Sequence, residues 1–119
     1  MKTLMPLRIL LFLLIAWLPA WAAANDDEIS YLLNYVEQAS CQFDRNGSIH
    51  DSKEARAHIK KKYDYAKKWI DSTEEFIEYT ATKSSMSGKL YYVICDGRRI
   101  PSGEWLNQAL VRYRSESKP

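Results

Sequence analysis

Both histidines of the chain, His50 and His58, lie in the stretch CQFDRNGSIHDSKEARAHIKKKY (Cys41 to Tyr63), one on each side of Glu54 at four-residue spacings. Imidazole and carboxylate side chains four apart share a helix face, where they can hold a metal ion or pass a proton. Geometry narrows the metal reading to Glu54 and His58. On a continuous helix, two histidines eight positions apart are separated by about 12 Å of rise, whereas zinc lies about 2 Å from its ligands. One ion meets both histidines only if His50 stands outside the helix and folds back. No third nitrogen or sulfur ligand is evident once the cysteines pair, so neither a resident metal nor a cofactor is expected.

The other chemically equipped segment is KSSMSGK, Lys83 to Lys89. Ser84, Ser85 and Ser87 with Gly88 offer hydroxyls and backbone amides that could receive an anion, and Ser85 or Ser87 paired with His58 or Lys62 would make an activated nucleophile. The chain has neither a Gly-x-Ser-x-Gly elbow nor phosphate-loop spacing. A connecting loop whose hydroxyls cap its neighbours accounts for the same residues. On a helical wheel Ala55, Ile59, Tyr63, Ala66, Trp69 and Ile70 form an apolar arc, with Lys62 inside it and His58 at its edge. An unpaired buried ammonium is costly, so Lys62 must reach water or find a carboxylate, and Glu75 is the expected partner.

These residues need a scaffold. Ile29, Leu32, Leu33, Val36 and Ala39 recur at helical spacing over Asp27 to Ser40, with Asp26, Asp27 and Glu28 at the positive end. Asn46-Gly47 marks a tight turn. Asp51 with Glu54 makes a capping-box start for a second helix, about Ser52 to Ile70, and Ser72 with Glu75 another for a third, ending near Ala81. LYYVIC, Leu90 to Cys95, reads as a strand turned by Asp96-Gly97; its best partner is the segment Cys41 to Arg45. Ser102 caps a last helix carrying Trp105, Leu106, Ala109, Leu110 and Tyr113.

The N-terminus, MKTLMPLRILLFLLIAWLPAWAAAN, has basic Lys2 and Arg8, an apolar run from Ile9 to Leu18, Pro19, and small residues at Ala20 and Ala22. That is the layout of a secretory signal peptide cleaved after Ala22 or Ala24; the apolar run is shorter than the roughly 18 to 20 residues of a membrane span. The expected domains are therefore a signal peptide at 1–24, one small domain at 25–114 and a disordered tail at 115–119. The expected location is a bacterial periplasm, with no membrane span in the mature form. The whole chain has 17 basic and 15 acidic residues, and loss of Lys2 and Arg8 balances them, which argues against nucleic acid. The solitary cysteine pair, Cys41 and Cys95, predicts a disulfide in an oxidising compartment, with two free buried thiols or an intermolecular bridge as alternatives.

Taken in order, FDRNG, EARAHIKKKY, STEEFIEY and ATKSSMSGKLYYV resemble the pattern of a bacterial domain-of-unknown-function family of small exported proteins, the YfeK-like family, over about Ile29 to Leu110. The resemblance implies an exported small domain and no particular reaction. It marks Arg45, Asn46, Gly47, Glu54, His58, Lys62, Glu75, Ser84, Ser87, Gly88 and Tyr91 as the positions matching the family's recurring polar residues. Ser72-Thr73-Glu74-Glu75 departs from the family's more usual Thr-Ala-Glu. Brought together over the second helix, these side chains would form a polar network, either structural or a binding surface.

The sequence thus predicts a mainly helical α+β domain, three to four amphipathic helices packed with a short antiparallel β ribbon and one disulfide. Many tyrosines outside the clear apolar stripes, Tyr31, Tyr35 and Tyr65 among them, favour an interface. The expected function is a non-catalytic binding module for an envelope protein or another cell-envelope component, an inhibitor or immunity-type protein being one version. A small hydrolase using the serine loop with His58, and a weak metal binder using Glu54 and His58, are the alternatives.

Overall fold

The computed structural model describes residues 25–117. The expected signal peptide and its cleavage site lie outside the described residues, as do positions 118 and 119. Four helices and a four-stranded sheet follow in the order α1 (Asp26–Gln38), β1 (Gln42–Arg45), β2 (Ser48–His50), α2 (Ser52–Ala66), α3 (Thr73–Ala81), β3 (Tyr92–Cys95), β4 (Arg98–Pro101) and α4 (Ser102–Glu116). The architecture is α+β and mainly α.

Local chemistry sets most boundaries. Asn25 caps α1 by accepting from the Glu28 amide, and Asp51 and Glu54 form the reciprocal capping box of α2. Helix α2 ends at Ala66 rather than continuing to Ile70, tightening into a 3₁₀ turn over Lys67–Trp69. The tighter turn rotates Trp69 out of the apolar arc, and it stands 59% exposed. Ser102 is the buried first residue of α4 rather than its cap; Pro101 precedes it without a side-chain capping bond. Helix α4 also runs through Ser115 and Glu116, into the segment expected as a tail.

The sheet is wider than a ribbon, in the order β2-β1-β3-β4 and antiparallel throughout. The expected pair is its centre, with Phe43 opposite Val93. The outer strands are returns through two-residue turns, Asn46-Gly47 and Asp96-Gly97, in which all four residues have positive φ. That is the type I′ geometry that matches strand twist. One sheet face packs on the helices through fully buried Val93 and nearly buried Phe43. The other is wetter and carries the Arg99–Asp44 pair, with Arg99 also 3.9 Å over the Tyr92 ring.

Leu32, Val36, Phe76, Ile77, Leu106, Ala109 and Leu110 fill the space between helices and sheet. Tyr31 and Tyr35 belong to this packing: Tyr31 stacks on Tyr113 at 4.3 Å and Tyr35 meets Trp105 at 4.7 Å. They are therefore not free interface residues, whereas Tyr65 is 81% exposed. Cys41 and Cys95 form the disulfide, joining the two central strands at one end with Cα atoms 4.9 Å apart.

Candidate functional site

Arg45 follows buried Phe43 by two positions on β1, so period-two alternation places both on the helix-facing side of the sheet. His50 is opposite Phe43 in the register, and Tyr91 precedes buried Val93 by two. The same alternation brings all three side chains to that side. From above, α2 supplies His58 and Lys62, one turn apart. The Arg45 Nη2 lies 3.1 Å from His50 Nε2, and the His58 Nε2 lies 3.4 Å from the Tyr91 hydroxyl. Lys62 Nζ donates to the Lys83 carbonyl at 3.2 Å and stands 5.2 Å from the Tyr91 ring centroid.

This cluster is half-buried and positive. Burial first, then the charges of Arg45, Lys62, His50 and Lys61, push His58 down to about 4. Burial, with Arg45 second, also lowers the Lys62 ammonium. Burial raises the Tyr91 phenol, against the opposing pull of Arg45 and a hydrogen bond with Ser84. Arg45, His58 and Tyr91 line a cavity of about 20 Å³, roughly the room one water needs. The buried Arg45 Nη1 has no hydrogen-bond partner among the described residues.

On its other side His58 opens onto a groove of about 520 Å³, shared with Lys61, Lys62, Tyr65, Trp69, Tyr79 and Ser85. Trp69 and Tyr79 are more than half exposed there, and Met86 on the serine loop is almost wholly so. The end of α2, its 3₁₀ turn and α3 supply the aromatic rings.

The family model that matches residues 23–114 is described as a family of unknown function, DUF5329. The chain belongs to the DUF5329 family. A relative from Salmonella typhimurium, named uncharacterized protein YfeK, is 39% identical over 82 residues, covering 66% of this chain and 68% of its own. No solved structure matches.

Within this DUF5329 domain the expected polar residues divide into two groups. Arg45, His58, Lys62 and Tyr91 come together, joined by His50 and by the buried Ser84, whose Oγ accepts from the amides of Met86 and Ser87. Glu75 does not join them. Its carboxylate accepts from the Asp71 amide at 2.6 Å at the start of α3, so the expected Lys62–Glu75 pair gives way to the Lys83 carbonyl. Glu54 caps α2 and lies 3.7 Å from His50. Among the described residues no group of three potential metal-binding side chains is assembled.

The Ser87 hydroxyl donates to Asn46 Oδ1 at 2.8 Å and accepts from the Lys89 amide, fastening the serine loop to the first hairpin turn. Ser85 shares the groove with His58 but makes no hydrogen bond to it. His50, set aside as a metal ligand by its spacing, joins the cluster through Arg45, and Tyr79, next to buried Thr80 on a short helix, carries no local signal of its exposure.

Proposed function

We propose that this protein is a non-catalytic binding module of the cell envelope, with the groove beside α2 as its recognition surface. Tyr65, Trp69 and Tyr79 support the reading: three large rings stay exposed along one groove, in a domain that buries Trp105 and packs Tyr31 and Tyr35 against its core. Clustered exposed aromatics are characteristic of interfaces, where their area can be desolvated at little cost in side-chain entropy. Lys61 and Lys62 at the rim add orientation. The Ser84 and Ser87 hydroxyls act as loop fasteners in this reading, and Ser85 makes no hydrogen bond to His58, so the hydrolase alternative has no assembled nucleophile–base pair among the described residues.

The partner is an envelope protein, an inhibitor or immunity-type pairing being the specific version, and the site of action is the periplasm. In-cell crosslinking of the tagged, exported chain tests this against Trp69→Ser and Tyr79→Ser variants, whose side chains lie outside the core. The expected result is a stoichiometric adduct in the wild type that either substitution abolishes. An adduct insensitive to both changes would move the surface elsewhere, and no adduct in any sample would remove the reading.

A further inference from the structure

The cationic cluster behind the groove lacks the countercharge that its composition demands. Arg45 and Lys62 belong to none of the ion pairs among the described residues. Nearby acids are engaged elsewhere. Glu54 serves the α2 cap, Glu75 serves the start of α3, and Asp44, on the opposite sheet face, is held by Arg99 at 2.8 Å and by the Gly47 amide. Holding like charges together out of bulk water lowers stability. Local departures of that kind concentrate where a protein has a task for them.

Donor capacity is also left over. Arg45 Nη1 is buried and unpartnered among the described residues. Lys62 spends one of its three protons on Lys83. The Tyr91 hydroxyl lies 3.4 Å from His58, and both side chains line the cavity with Arg45. An oxyanion in the groove would receive a charge-assisted hydrogen bond from the Lys62 ammonium, with the uncompensated charge of Arg45 behind it.

We propose that the Lys62 ammonium, backed by the uncompensated charge of Arg45, forms a receptor for a single carboxylate of a partner protein, whose flanking apolar side chain rests on Trp69 and Tyr79. This rests on the binding reading above and deepens it. The commitment to an acidic protein segment comes from charge complementarity with Lys61 and Lys62 and from the aromatic floor of the adjoining groove, which suits an amino-acid side chain better than a bare inorganic ion.

The test is a nuclear magnetic resonance titration of the exported chain with two blocked tripeptides, one with glutamate between two tyrosines and one with glutamine in that place. Acetate and inorganic phosphate are titrated in parallel at matched ionic strength. The glutamate peptide is expected to shift the Tyr91 and Lys83 amides and to bind about tenfold or more tighter than the glutamine peptide. Lys62→Met should erase that preference and Arg45→Met should reduce it, while Arg99→Met on the opposite face keeps it. Arg45→Gln and Lys62→Gln serve the same purpose if a methionine variant does not fold. Equal binding of the two peptides would overturn the carboxylate receptor and leave the binding module standing. Shifts by phosphate without acetate would overturn the carboxylate assignment, and no shift by the glutamate peptide or acetate would overturn the site altogether. The crosslinking experiment separately decides whether the module reading falls with it.

Discussion

Burial and four positive neighbours act on His58 in the same direction, and the consequence is a pH dependence with a definite sign. In the folded chain the ring titrates at about 4 against an ordinary 6.5, so between those values the unfolded chain binds a proton that the folded one refuses. Stability is therefore full above about 6.5 and is lost as pH falls towards 4. The ring is partly exposed and screened by solvent, which limits the loss to on the order of 1–2 kcal/mol. Glu28 and Glu74, both held low by Arg114, and Asp44, held low by Arg99, add their own losses only below about 4.5. Urea midpoints measured between 6.5 and 4.5 should fall with pH in the wild type and stay nearly flat in His58→Gln; equal slopes would refute the assignment. Lys62→Met, which removes a lysine that lacks a carboxylate, should keep or raise the midpoint near neutrality. A marked drop would show that the bond to the Lys83 carbonyl outweighs the cost of burying the ammonium.

Between elements, α1, α3 and α4 are tied by one buried acid. Glu28 on α1 accepts from Arg114 Nε at 2.7 Å, from Arg114 Nη2 at 3.0 Å and from the Thr73 hydroxyl at 2.6 Å, while Arg114 also grips Glu74. Arg114→Met strands the carboxylate with Thr73 alone and should cost about 2–3 kcal/mol, read by thermal or urea unfolding. A Glu28→Gln background should remove most of that loss, and an undiminished cost there would contradict the pairing. Helix α4 begins against α3 with equal economy of space: a Cβ on Gly103 would stand 2.6 Å from Thr82 Oγ1, whose hydroxyl is fixed on the Ile77 carbonyl. Gly103→Ala is expected to destabilise by about 1–3 kcal/mol through this overlap, with Thr82→Ala restoring most of it. An unchanged melting temperature in Gly103→Ala would mean that α4 shifts freely.

At the scale of the whole molecule, the Cys41–Cys95 bond closes a loop with a sequence separation of 54 and clamps the central strand pair. Chain entropy gives it up to about 4 kcal/mol, so the double Cys→Ala protein should melt well below the wild type, and coincident curves would show the sheet holding without it. The disulfide, the starts of α2 and α3 and the central strand pair were legible because each rests on local or compositional chemistry: Asp51 with Glu54, Ser72 with Glu75, an isolated cysteine pair. The outer strands were announced only by Asn46-Gly47 and Asp96-Gly97, since β2 is three residues long and too short to show a period of its own. The end of α2 was hidden because no glycine or proline marks Lys67–Trp69. The sequence by itself determined three to four amphipathic helices, two tight turns and a family, because spacing and capping act between near neighbours. Only the tertiary structure decided that Arg45 and Tyr91, 46 positions apart in the chain, would meet Lys62 without a carboxylate, because antiparallel pairing and helix packing choose partners by shape and burial, which no local pattern encodes.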